Sequence, residues 1–189
     1  MKNVMLAAAA IVLSGPLMAA GQQSSSAEQQ IAEAVQILPD DLRAGATVVT
    51  YDAGGARKVL RQGTNFIECQ PRMADGFSRC YSKALAPRRD LEAKLRAEKK
   101  SDEDIQKAVA AAGKAGTLPP SPNGMMAYRG YDKRDRIQHL WVMSLPNATP
   151  ESVGVSTASQ RDAALEGKGL PWMMLPGTPG AHIMIPINK

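Results

Sequence analysis

Apolar residues recur at helical spacing over residues 27–38, where Ile31, Ala34, Val35 and Leu38 share one stripe and Pro39 closes the run. The pattern turns β-branched over 46–51, and Asp52-Ala53-Gly54-Gly55 bends the chain into a second strand around Val59. Residues 59–83 then read as a strand, a polar loop and a further strand. Gln70-Pro71-Arg72 and Ala74-Asp75-Gly76 supply the turn, and Gly63 marks a bulge or bend in the first strand. Pro87 opens the longest helical region, with Leu91 and Leu95 one turn apart. Ser101-Asp102-Glu103-Asp104 resembles a capping box for a second helix, whose Ile105, Val109 and Ala112 share a face before Gly113. A Pro-rich connector over 117–124 leads to strands expected over 125–129 and 138–145, joined by the charged turn 132–136. A short helix is expected around 159–166. The apolar runs 171–175 and 181–187 flank Pro176-Gly177-Thr178-Pro179-Gly180 as a hairpin.

Strands, a helical insertion, more strands and a final hairpin predict an α+β fold, with a mostly antiparallel sheet and one or two helices covering a face. Residues 27–189 are the right size for one domain. Residues 1–20 combine Lys2, an apolar run from Val4 to Leu13, a Gly-Pro break and a small Ala19-Ala20 end, the composition of an export signal peptide. Residues 21–26 are a polar linker. The apolar run falls short of the roughly 20 residues a spanning helix needs, and no later stretch approaches that length. The expected location is therefore periplasmic or secreted, and that compartment decides the cysteines. Cys69 and Cys80 are the only two and are expected to pair, closing a loop worth about 2–3 kcal/mol. A catalytic thiol would stand unpaired in an oxidising compartment, and a metal site lacks partners at ligand spacing.

The run Leu60-Arg61-Gln62-Gly63-Thr64-Asn65, followed by Cys69 and a second cysteine after a polar loop, resembles a group of uncharacterised bacterial exported proteins. There a strand like Gly45-Ala46-Thr47-Val48 precedes the motif, and a segment like Pro179-Gly180-Ala181-His182-Ile183-Met184 closes the chain. The resemblance spans roughly residues 40 to 187. It implies export and the extent of the domain, and no activity.

Charge and composition narrow the field. The formal charge is +5 and aromatic residues make up only 4%, so the basic-plus-aromatic stripe of a single-strand nucleic-acid binder is missing. Weak attraction to an acidic surface is the most that such a charge implies. Charged helix faces read as solvated. Arg61, Asn65 and Glu68 sit together in sequence as a conceivable ligand site, although a solvated face with a local hydrogen bond from Asn65 accounts for them more simply. No nucleophile elbow, phosphate loop, zinc-protease helix or dinucleotide fingerprint is present. A hydrolytic site would have to use His139 or His182.

One constellation suggests chemistry. If the final hairpin pairs Trp172 with Met184, Met173 with Ile183, Met174 with His182 and Leu175 with Ala181, one face is apolar, with Met173, Leu175, Ile183, Ile185 and Ile187. The other face gathers Trp172, Met174, His182 and Met184, soft ligands suited to Cu(I) or Ag(I) and similar in type to those of small periplasmic copper chaperones. His139, Trp141 and Met143 share a face of an earlier strand. Methionine also fills irregular cores, and a register shift of one residue dissolves the set. The sequence therefore reads first as a non-catalytic binding or interaction module, then as a soft-metal (copper) binder, and last as a hydrolase without a motif.

Overall fold

A computed structural model describes residues 26–73 and 76–187. The expected signal peptide, the linker up to residue 25 and the Ala74-Asp75 turn lie outside the described residues. At the start of α1 (Ala27–Val35) the Ser26 hydroxyl accepts from the Gln29 amide, and the Gln29 side chain accepts from the Ser26 amide. The helix ends three residues earlier than its apolar stripe, because Pro39 disfavours helical backbone at the residue before it. Ile37 and Leu38 leave the helix yet stay buried beside Ala34 and Val35. A single turn, α2 (Asp40–Arg43), follows.

Among the described residues eight strands make one sheet: β1 (Thr47–Tyr51), β2 (Arg57–Arg61), β3 (Ile67–Gln70), β4 (Phe77–Ser82), β5 (Met126–Tyr131), β6 (His139–Ser144), β7 (Trp172–Met174) and β8 (His182–Pro186). They lie in the order β2-β1-β3-β4-β5-β6-β8-β7, and every pair is antiparallel except β1 with β3. The mostly antiparallel α+β architecture with one disulfide is thus the one expected. The 59–83 stretch differs in detail. Its first expected strand is two: β2 ends at Arg61, and the chain crosses back over β1 before β3 begins. Gly63 sits at that crossing, where its backbone runs against Gly45 and Ala46, so that a Cβ would collide with main chain. The bulge lies one strand away, between Val48 and Val49.

Helices cover both faces of the first half of the sheet, more than the single covered face expected. On one side α1 packs over Val48, Ile67, Cys69, Cys80 and Tyr128. On the other side lie α3 (Ala86–Ala97) and α4 (Asp102–Lys114), entered through a 3-10 turn at Lys83–Leu85. Ser101 caps α4 by accepting from the Asp104 amide at 3.1 Å, as the sequence predicts. Two short helices, α5 (Pro150–Val153) and α6 (Arg161–Leu165), precede the final hairpin.

Cys69 and Cys80 are directly opposite in the β3–β4 ladder and joined as a disulfide, both fully buried beneath α1. Replacing both by Ala removes the cross-link between residues 11 apart. The expected cost is about 2–3 kcal/mol of unfolding free energy. Urea titration with and without reductant checks this; an unchanged midpoint in the double variant would show that the bridge constrains nothing.

Candidate anion-binding site

Strand alternation decides which residues can meet. Val48, Cys69, Cys80, Tyr128, Trp141 and Ile185 lie in one row across six strands, on the side of α1. Their neighbours along each strand must point the other way. On that second side one row runs Thr47, Glu68, Tyr81, Ala127, Val142, Met184, Trp172, and the next runs Gln70, Arg79, Arg129, Leu140, Pro186. The face is therefore polar over β3–β5 and apolar over β6–β8.

The helix above the polar half matches it. In α3, Arg89, Glu92 and Arg96 recur at helical spacing, and Glu92 is the residue it buries, at 6% exposure. The Glu92 carboxylate accepts from Arg89 at 2.7 Å and Arg88 at 3.1 Å, with Arg96 and Arg79 at 3.8 and 4.0 Å. Burial works against its charge, but Arg89 and Arg88 outweigh it and hold the carboxyl below the usual range. The solvated outer face expected for these charges is, in part, an inner one.

A second buried carboxylate, Glu68, takes the Tyr81 hydroxyl at 2.8 Å and the Arg57 guanidinium. Tyr81 in turn accepts from Gln70 Nε2 at 3.2 Å, and Gln70 Oε1 accepts from Arg79. At the near end Tyr51 donates to Asp90 at 2.7 Å, and Arg57 reaches the same carboxylate at 3.2 Å. Burial first, then Asp90, pushes the Tyr51 hydroxyl up to about 12. Burial and Glu68 drive Tyr81 further in the same direction.

One part of this face is not balanced. Arg79 and Arg129 are direct cross-strand partners on adjacent strands. The Arg79 side chain is only 15% exposed, and burial followed by Arg89 lowers its pKa to about 10. Burial and Arg89 disfavour charge on Arg129 as well. Among the described residues the Arg129 side chain has no hydrogen bond or ion pair, and Arg89, whose guanidinium carbon lies 5.2 Å from the Tyr81 ring centre, has a buried Nε without an acceptor. Arg79, Arg89 and Arg129 line a cavity of about 550 Å³. Phe77 and Tyr131, paired at 4.8 Å, stand at one end, and Asp102 and Gln106 of α4 form part of the wall. Guanidinium forks aimed into a concave space suit an oxyanion.

The residues singled out from sequence are placed as follows. Arg61 donates to the carbonyls of Arg43 and Ala46, and Asn65 holds Leu42 O and the Ile67 amide, so both tie loops together. Glu68 is buried, not solvated. The final hairpin pairs Trp172 with Met184, Met173 with Ile183 and Met174 with His182, the expected register. It departs at Leu175, which has left the strand with φ of 52° and is exposed. Trp172 and Met184 pack with Leu140 and Val142, while Met174 is 40% exposed beside His182. His182 Nδ1 lies 2.8 Å from the Gly180 carbonyl. His139, Trp141 and Met143 fall on the opposite face, beside Ile185 and Ile183. His139 also borders a second cavity, of about 380 Å³, with Glu166. Glu166 is largely exposed and paired with Lys168, and no Ser, Thr, Cys or Tyr lines that cavity.

Comparison with protein-family models, with curated proteins and with solved structures found no match to the chain.

The tyrosine shifts set an alkaline limit. Tyr51 titrates at about 12 in the fold against 10.0 ordinarily, so its contribution is whole below pH 10 and is lost as pH rises from 10 through 12. Tyr51→Phe is expected to cost about 1 kcal/mol at pH 8, for the lost bond to Asp90. It should also flatten the fall of the urea midpoint between pH 10 and 12. An equally steep fall in the variant would remove Tyr51 as its source.

Proposed function

We propose that the chain is an exported, non-catalytic binding module whose ligand is an anion held in the arginine-lined cavity. Export rests on the sequence of residues 1–20, and the ligand class rests on one observation: Arg79 lies directly opposite Arg129. Like charges at facing positions destabilise a ladder. The burial of Arg79, and the lack of an acceptor for the Arg129 side chain among the described residues, add to that cost. An oxyanion between the two converts both costs into charge-assisted hydrogen bonds. Among the described residues the cavity wall carries no serine or threonine, and its one cysteine, Cys80, is closed in the disulfide with Cys69, which favours holding over turnover.

The test combines stability with binding. Arg129→Met removes one of the facing charges and fits its stem into the same space. In buffer without multivalent anions the variant is expected to be at least as stable as the parent. Sulfate or phosphate should raise the parent's thermal midpoint and leave the variant's almost unmoved, with affinity reduced tenfold or more by calorimetry. A parent that gains nothing from either anion, or a variant that responds equally, rejects this reading.

A second reading is favoured by the hairpin. Its register brings Met174, His182 and Met184 to one face with Trp172, and the Nδ1 proton of His182 donated to Gly180 O leaves Nε2 as the free lone pair. That is the donor set for Cu(I) or Ag(I). In anaerobic competition with a coloured chelator the protein should withdraw Cu(I) stoichiometrically, and Met174→Leu with Met184→Leu should abolish this without unfolding the chain. Failure to withdraw the metal leaves the methionines as packing.

A further inference from the structure

Resting on the anion reading, we infer that the cavity is built for a phosphate monoester carried on a hydroxyl-bearing ring, the chemistry a sugar phosphate presents. Four features narrow the anion to that class.

The first is charge. Arg79 and Arg129 face the cavity from the sheet, and Arg89 and Arg96 face it from α3. Against them stand Glu92, which Arg88 shares from its outer side, and Asp102 on α4. The cations exceed the carboxylates by more than one, so a monoanion leaves the site positive and a dianion suits it. The second is geometry. Donors approach from β4, from β5 and from the helix above, three directions that suit the three terminal oxygens of a tetrahedral group better than the two coplanar oxygens of a carboxylate.

The third is room. A cavity of about 550 Å³ falls within the range of small-molecule sites, roughly 300–1,000 Å³, and far exceeds a bare phosphate. The fourth is what lies one step along. Phe77 and Tyr131 are the next facing pair on the strands that carry Arg79 and Arg129, so a phosphate between the arginines sets its ester body against two rings. Across from the sheet, Asp102 and Gln106 offer polar atoms to ring hydroxyls.

The experiment is calorimetry on the purified protein with glucose 6-phosphate, glucose 6-sulfate, inorganic phosphate and vesicles containing phosphatidic acid. A phosphomonoester takes its second charge with a pKa of about 6, whereas the sulfate ester keeps one charge throughout. Glucose 6-phosphate is therefore expected to bind at least tenfold more tightly than glucose 6-sulfate at pH 7.5, and the gap should close towards pH 5. A change of charge on the protein would move both ligands together, so the ratio isolates the ligand's own charge. Asp102→Asn with Gln106→Ala should weaken glucose 6-phosphate and spare inorganic phosphate. Arg96→Met, on the half-exposed side of α3, should weaken every phosphate while circular dichroism stays unchanged.

Equal binding of the phosphate and sulfate esters, abolished alike by Arg129→Met, would overturn the phosphomonoester assignment and leave the anion reading standing. Binding to phosphatidic acid vesicles without glucose 6-phosphate would overturn the ring and place the phosphate on a lipid. Silence from all four probes would remove both inferences together.

Discussion

The alternation of side chains across a pleated sheet, pinned at one row, governs the rest of this molecule. Val48, Cys69, Cys80, Tyr128, Trp141 and Ile185 line up across six strands, and the disulfide fixes two of them covalently beneath α1. Because the period is two, committing that row to the α1 side commits every flanking residue to the other. Arg79 cannot turn away from Arg129 without pulling Cys80 and Tyr128 out of the core. A local preference for separated charges thus loses to a core of buried contacts, each worth on the order of 1–3 kcal/mol.

The charges on that second face are resolved in two ways. Glu68 and Glu92 are buried, and each is surrounded by donors, so each is satisfied at the cost of holding several arginines in fixed geometry. Such buried pairs do not by themselves add much stability, since desolvation consumes most of the attraction. Their effect is positional. Glu92 draws Arg89 and Arg88 onto itself and sets α3 at its height above the sheet, while Gln70 orients Arg79 from below. The unpaired donors of Arg89 and Arg129 are left at the meeting point of these two frames. A fold optimised only for stability would not leave them so, and local departures of this kind mark ligand sites.

Features that depend on near neighbours in the chain were legible from sequence. The Ser101 cap, the turn at Asp52, the cysteine pairing and the register of the final hairpin each involve residues close together or joined by a short loop. The crossing that inserts β1 between β2 and β3 was not, because a parallel pairing leaves no local mark beyond the small residue at Gly63. The arginine site was hidden for a related reason. Arg89, Glu92 and Arg96 form a stripe as regular as any apolar one, but charge at helical spacing reads as a solvated face unless a matching charged surface lies beneath it. That surface, Arg79 and Arg129, belongs to strands some 50 residues apart. Only the alternation FSRCYS and MAYRGY, with arginine in phase beside a core Cys80 and Tyr128, carried the signal.

The same alternation separates the two candidate chemistries. Along the second face the side chains pass from Glu68, Gln70, Arg79 and Arg129 to Leu140, Val142, Met184 and Trp172, and the change falls between β5 and β6. Where α3 and α4 cover the sheet, the covered surface is charged; where the sheet carries its own apolar cluster, the soft ligands of the hairpin begin. Met184 and Trp172 are required by that cluster whether or not a metal binds, so their presence alone says little about copper. Met174 and His182 are different, since they stand at the open end of the same face with less to pack against. A soft-metal site there would grow outward from a core already stable without it. The arginine cavity is the reverse case, because the facing Arg79 and Arg129 repel one another in the fold as it stands.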